Sequence, residues 1–280
     1  MPRASTRPAR SRTGTPAAAA PRVVAVANQK GGVAKTTTVA SLGAAFAEAG
    51  RRVLLVDLDA QSCLTFSLGL DPETVELSVH DVLMGRVPAA MAVQRTEDGV
   101  DLLPATIDLA GTEAQLLARP GREYVLRTAL EDLRDASPAE DSYDVVLLDC
   151  SPSLGVLTLN ALTAAHEVVV PLQCEMLSHR GVGQLLDTVA DVQRILNRDL
   201  RVRGVLPTMF DARTNHARAV LADVAERYGV DVLEPPIPKS VRFAEAPAVG
   251  RSVLATARSG RGAQAYREVA ANLASAWGMG

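Results

Sequence analysis

Short apolar runs at 23–27, 53–56, 145–148, 168–170 and 202–206 punctuate the chain, the first four unbroken and the last interrupted by Arg203 and Gly204. Continuous rather than alternating apolarity is the pattern of strands covered on both faces. Residues 35–49, 110–117, 124–133, 156–165, 181–196, 215–228 and 263–277 carry helical spacing, the first alanine-rich and closed by Gly50. Strand and helix in repeated alternation predict an α/β fold, a mostly parallel twisted sheet flanked by helices on both faces. Ligands of such sheets settle at the carboxyl ends of the strands. Asp57 ends the run at 53–56 and Asp149 the run at 145–148, so both acids are expected there.

Residues 1–21 break the pattern. They hold Arg3, Arg7, Arg10 and Arg12, no acid, and many Pro, Ala, Ser and Thr. Such a segment buries too little apolar surface to order itself, and we expect a flexible basic tail ahead of one domain over 22–280. An organelle transit peptide shares this composition; a signal peptide needs a longer apolar run than 17–20. With 48% apolar and 22% charged residues, disorder of the whole chain is excluded. No apolar run approaches the ~18 residues of a membrane span. Three cysteines, Cys63, Cys150 and Cys174, are too scattered for a disulfide framework or a CxxC site, and fit a reducing cytoplasm. Aromatics at 3% argue against a stacking platform for single-stranded nucleic acid. A net charge of −3 leaves room for a local basic patch on one face.

The chemistry concentrates in Asn28-Gln29-Lys30-Gly31-Gly32-Val33-Ala34-Lys35-Thr36-Thr37-Thr38, after the first strand and at the head of the first helix. Glycines there let backbone N–H groups close on an anion, and the helix N-terminus adds positive potential. Lys35 suits the β- and γ-phosphates, and the Thr36 hydroxyl suits magnesium. The standard phosphate-loop pattern G-x-x-x-x-G-K-[ST] fails at Gln29 and Ala34; K-G-G-x-x-K-[ST], with a second lysine near its start, fits. Only three of the 29 basic side chains are lysines, and two of them, Lys30 and Lys35, lie in this loop, the third being Lys239. Composition bias explains the rarity; phosphate chemistry explains these two places.

On these residues the chain resembles the ParA-type chromosome and plasmid partition ATPases of the deviant Walker A superfamily. The resemblance runs from residue 22 nearly to the C-terminus and includes Val56-Asp57-Leu58-Asp59-Ala60-Gln61, Leu103-Pro104-Ala105-Thr106 and Asp149-Cys150-Ser151-Pro152-Ser153-Leu154-Gly155. It continues through Met209-Phe210-Asp211-Ala212-Arg213-Thr214 and Ala244-Glu245-Ala246-Pro247. It implies a slow ATPase with ATP and Mg2+ as ligands. Lys30, Gly31, Gly32, Val33, Ala34, Lys35, Thr36 and Thr37 would hold the nucleotide, with Lys35 serving its own subunit. Lys30 would reach the phosphates of a partner subunit in an ATP-sandwiched homodimer, adding charge in trans as an arginine finger does. Asp59 would position the attacking water. Thr36, Asp57 and Asp149 would hold magnesium, Asp149 as the Walker B acid, through water because Mg2+ dehydrates reluctantly. Pro238 is the adenine-contact candidate, with a rigid turn as the alternative. Ala34, Ala60, Cys63 and Ser151 depart from common family residues. A methyl at 34 costs little if the backbone there is helical and strains the loop if φ is positive.

The resemblance also implies non-specific binding of double-stranded DNA through Arg213 and Arg242, and a ParB-type centromere-binding partner that stimulates hydrolysis. It implies a cytoplasmic, nucleoid-associated protein. The basic tail would touch that partner, DNA or nothing. A MinD-type membrane regulator needs a basic amphipathic C-terminal helix, whereas 263–280 holds one basic residue, Arg267. A nitrogenase-reductase-like electron carrier needs cluster cysteines, which Cys150 does not supply. A hydrolysis-silent DNA-coating protein is disfavoured by intact Lys30 and Asp59.

Overall fold

The computed structural model describes residues 20–175 and 178–279, so residues 1–19 of the expected tail lie outside the described residues. One sheet organises the rest. Its strands are β1 (Arg22–Val26), β2 (Val53–Leu58), β3 (Gln94–Arg95), β4 (Asp101–Leu103), β5 (Val145–Cys150), β6 (Glu167–Gln173) and β7 (Arg201–Thr208). They lie in the order β3-β4-β2-β5-β1-β6-β7, all parallel except β3 against β4. The five runs expected from the apolar pattern form the parallel centre and one side; the two short strands β3 and β4 extend the other.

The helices are α1 (Lys35–Glu48), α2 (Cys63–Ser67), α3 (Val79–Leu83), α4 (Ala89–Ala92), α5 (Leu109–Leu117) and α6 (Val125–Ala136). They continue as α7 (Val156–Ala164), α8 (Ser178–Ile195), α9 (Asn215–Tyr228), α10 (Arg242–Glu245), α11 (Val253–Thr256) and α12 (Arg261–Ala276). Side chains alternate across the sheet with period 2. Val23, Ala25, Leu54, Val56, Val146 and Leu148 join one core, under α3 to α8. Val24, Val26, Val53, Leu55, Val145 and Leu147 join the other, under α1, α2, α11 and α12. That alternation puts Asp57 in phase with Val53 and Leu55, and Asp149 with Val145 and Leu147. Both acids therefore face the α1 side of the sheet.

Alanine and glycine let α1 lie close to the strands: a Cβ added at Gly43 would stand 2.7 Å from a Leu55 methyl. On its other flank α1 meets α12, whose Ala263, Tyr266, Val269, Ala270 and Leu273 are buried. The Tyr266 and Thr38 hydroxyls are 3.0 Å apart, and the Phe46 and Trp277 rings stack at 5.6 Å between centroids. The C-terminal helix thus turns its apolar face to the core, and its Arg267 pairs with Glu48. Among the described residues no helix is long and apolar enough to cross a membrane.

Candidate nucleotide-binding site

The loop between β1 and α1 is tied to its neighbours at both flanks. The Asn28 amide donates to the Pro171 carbonyl at 2.8 Å, and its oxygen accepts from the Lys30 N–H at 3.0 Å. The Thr208 hydroxyl, at the end of β7, donates to the Val33 carbonyl at 3.0 Å. Between these anchors Gly31 and Gly32 are exposed, and Gly32 takes φ +73. Ala34 caps α1 in the left-handed region, φ 67 and ψ 35, and no side chain accepts from the first helical N–H groups. Positive φ decides between the two readings of Ala34: the methyl is a strain, of the order of 1–2 kcal/mol. The unaccepted N–H groups of Lys35, Thr36 and Thr37, with the helix dipole behind them, make the head of α1 an anion site.

The two loop lysines have opposite surroundings. Lys35 is 7% exposed, and its ammonium donates to the Lys30 carbonyl at 3.1 Å. Burial pulls its pKa down, while Asp149, Cys150 and Asp59 pull it back up. Lys30 turns outward to the rim, where its ammonium bonds Glu175 Oε2 at 2.7 Å.

Asp57 and Asp149 are directly paired in the β2–β5 register, 0% and 1% exposed. Asp57 Oδ1 accepts from the Asp59 N–H at 3.1 Å; Oδ2 accepts from the Thr65 N–H at 2.9 Å and the Thr65 hydroxyl at 2.7 Å. Burial pushes its pKa up to about 6 against those hydrogen bonds. Both oxygens of Asp149 are buried without a hydrogen-bond partner. Burial, then the neighbouring Asp57, raises its carboxyl well above the usual range; Thr36 and Lys35 lie near enough to oppose that without closing a hydrogen bond on it.

An orphaned carboxylate beside a threonine hydroxyl at an anion site fits a hard cation that takes oxygen ligands. Among the described residues no cluster of three or more His, Cys, Asp or Glu side chains could hold a metal by itself. Magnesium keeps waters and completes its shell with phosphate oxygens, so one carboxylate and one hydroxyl are the kind of protein donors it takes.

Asp59 sits on the turn after β2. Its Oδ1 accepts from the Gln61 N–H at 3.0 Å, and Ser62, at φ 52, caps α2. Asp57 thus fixes both ends of the segment that carries Asp59. On the far side, Phe210 and Pro238 form an isolated parallel bridge, which sets the loop bearing Arg213 beside the loop bearing Arg242. Arg213 is exposed, and Arg242 pairs with Glu245 at 2.8 Å while remaining 65% exposed. Pro238, with Lys239, Arg242 and Phe243, lines a cavity of about 100 Å³.

Three contributors escape the sequence reading. Asn28 and Thr208 anchor the loop, and Glu175 pairs with Lys30. Glu175 lies five residues past the run 168–170, whereas Asp57 and Asp149 follow their runs directly, so the strand-end rule that singled out those two acids does not reach it. Of the histidines, His80 is buried between Thr112 and Arg86, and His166 accepts from the Val23 N–H at 3.0 Å, both packing roles.

A family model described as an AAA domain matches residues 21–202. The chain is 44% identical over 256 residues to the sporulation initiation inhibitor protein Soj of Bacillus subtilis, covering 90% of this chain and 99% of Soj. It is 44% identical over 255 residues to the chromosome partitioning protein ParA of Caulobacter vibrioides, covering 91% and 94%. Among solved structures, cobyrinic acid a,c-diamide synthase from Mycobacterium smegmatis with bound ADP and magnesium superposes with a TM-score of 0.81 at 58% identity, covering 92% of this chain and 95% of that one.

Proposed function

Because the chain belongs to the ParA-type partition ATPases, we propose that residues 22–280 form an ATPase domain that dimerises on ATP and Mg2+, binds double-stranded DNA without sequence preference, and lets go when a ParB-type partner stimulates hydrolysis. Lys35 and the N–H groups at the head of α1 hold the phosphates of the subunit's own nucleotide. Thr36 and Asp149 hold magnesium, with Asp57 behind them; when bound, the ion neutralises charge on the transferred phosphoryl group. Asp59 orients the attacking water, and Asp57 keeps the Asp59 turn in place. Lys30 reaches the nucleotide of the second subunit. Pro238 borders the base, and Arg213 and Arg242 contact DNA phosphates with the rigid guanidinium fork. The basic tail, residues 1–21, touches the partner, DNA or nothing. This work is done in the cytoplasm, on the nucleoid.

The observation that carries the reading is the contrast between the two lysines of one loop. A buried Lys35 beside Asp149 belongs to its own site, whereas Lys30 stands partly exposed at the rim with its ammonium paired to Glu175, turned away from its own phosphate site. Dimerisation and DNA binding with ATP test it in wild type, Lys30→Ala, Asp59→Ala and Arg213→Ala with Arg242→Ala. Lys30→Ala should stay monomeric, Asp59→Ala should dimerise without turnover, and the double arginine variant should dimerise without holding DNA. Wild-type DNA binding should fall steeply with salt, since each phosphate contact releases counterions. A wild type that stays monomeric and indifferent to DNA overturns the proposal.

The 58% identity to the structure named for a diamide synthase favours a second reading, ATP-driven amide formation on a carboxylate substrate. Releasing ammonia from an amide donor calls for a reactive thiolate. Here burial raises all three thiols, Cys63, Cys150 and Cys174. ATP turnover accelerated by cobyrinic acid with glutamine or ammonia, and not by DNA with a ParB-type partner, would favour the synthase.

A further inference from the structure

The Lys30–Glu175 pair lies where the proposed trans contact must form. Glu175 follows β6, the strand to which Asn28 binds the start of the phosphate loop. Its carboxylate is held at both oxygens: Oε1 accepts from the Gln173 side-chain amide at 2.6 Å, and Oε2 from Lys30 at 2.7 Å. The Lys30 hydrogen bond holds the Glu175 carboxyl below its ordinary pKa, and Lys239 adds to that field. Lys30 is bound a second time through its backbone, whose carbonyl accepts from the Lys35 ammonium. Behind it stands α8, where a Cβ added at Gly181 would be 3.5 Å from the Lys30 backbone nitrogen.

We propose that Glu175 is a positioning residue that holds the Lys30 ammonium within its own subunit, so that the ATP-linked dimer forms only by exchanging the Glu175 carboxylate for a phosphate of the partner's nucleotide. This rests on the reading of Lys30 given above. A phosphate at the head of α1 draws the Lys35 ammonium from the Lys30 carbonyl, which loosens the residue that must swing. Binding in one site therefore readies the lysine for the other. Two such pairs open for each dimer, and each is an exposed pair of modest strength, so Glu175 sets a threshold rather than a block.

The test uses the full chain as wild type, Lys30→Ala, Glu175→Gln and Glu175→Asp. Glutamine keeps the shape and the Gln173 contact while removing the charge. The protein concentration for half-maximal dimerisation, with a non-hydrolysable ATP analogue and Mg2+, is expected to fall about two- to tenfold in Glu175→Gln. The second readout is the acylation rate of Lys30 by an amine-reactive ester in protein without nucleotide, followed by mass spectrometry against an added reference peptide as control. Lys30 should react several-fold faster in Glu175→Gln and near the wild-type rate in Glu175→Asp; a purely structural role for Glu175 moves neither rate. If wild type dimerises, Lys30→Ala does not, and Glu175→Gln dimerises no more readily than wild type, the positioning role is overturned while the trans role of Lys30 stands. If wild type and Lys30→Ala behave alike, the trans role fails and the positioning role with it.

Discussion

The carboxyl ends of β2 and β5 carry two aspartates side by side, both sealed from water, and they could hardly be treated more differently. Asp57 has every oxygen accepting, from Asp59 and twice from Thr65. Asp149 has none. Burial raises the pKa of both, yet only Asp57 receives hydrogen bonds that resist it well enough to leave it near 6. The difference separates structure from chemistry within one register pair. Asp57 is fastened to the segment that carries Asp59, while Asp149 is left with bonding capacity that a cation beside Thr36 and Lys35 would use. A buried polar group without a partner costs free energy, and such costs gather where a ligand is to be met.

Exchanging each aspartate for asparagine should break the symmetry most visibly. Asp149→Asn is expected to cut ATP turnover by about 100-fold or more, since even outer-shell changes at metal sites reach that range. It should also raise the folding stability of the protein without nucleotide, by removing an uncompensated buried acid. Asp57→Asn should gain nothing of the kind. Either orientation of the amide sets an NH2 against a donor, the Asp59 N–H on one side or the Thr65 N–H on the other. Chemical denaturation should therefore find the Asp149 variant more stable than the Asp57 variant by about 1–3 kcal/mol. The reverse order would mean that the contrast in hydrogen bonding does not govern their energetics.

Acidity sharpens the same contrast. A carboxyl whose folded pKa is raised binds more protons folded than unfolded, so its contribution is full below the unfolded value and lost as pH climbs through the folded one. For Asp57 that window runs from about 4 in the unfolded chain to about 6 in the folded one. Asp149 shifts in the same direction, by burial and by its neighbour Asp57. The stability advantage of Asp149→Asn over wild type should accordingly narrow as pH falls from 7.5 to 5, measured by urea denaturation across that range. Adding ATP with Mg2+ at pH 7.5 should narrow it as well, because the cation repays the ionised acid only in wild type. An advantage that ignores both pH and magnesium would show that the Asp149 carboxylate is not what the substitution relieves.

Much of this was legible in the chain itself, and the reasons are local. The parallel centre of the sheet shows as runs without polar interruption, because β2 and β5 are buried at every position. Residues 215–228 show the helical period, and α9 spans Asn215–Tyr228. Short elements did not show: β3 and β4 span two and three residues, and α2, α3 and α4 no more than five, too few to complete a period. The phosphate loop was legible from glycines and lysines at fixed spacing. The pairing of Lys30 with Glu175 was not, for it joins residues 145 apart that meet only because β6 lies beside β1. Spacing also left open the conformation at Ala34, a left-handed backbone angle that no residue type there announces.

That conformation gives the smallest of the expected effects. Two left-handed residues other than glycine stand on either side of the aspartate pair, Ala34 at the head of α1 and Ser62 at the head of α2. Neither side chain caps its helix. Ala34→Gly removes the clash that an L side chain meets at positive φ, about 1–2 kcal/mol, and returns about 0.4–1 kcal/mol as extra freedom of the unfolded chain. A net gain of up to about 1.6 kcal/mol, a rise of up to about 3 °C in Tm, should remain. Ser62→Gly is expected to gain the same amount, and the pair should add, since the two positions share no hydrogen-bond partner. Calorimetry on the two single variants and the double variant checks this. A loss in stability on Ala34→Gly would mean that the methyl serves the loop on the Asp149 side more than its backbone angle costs it.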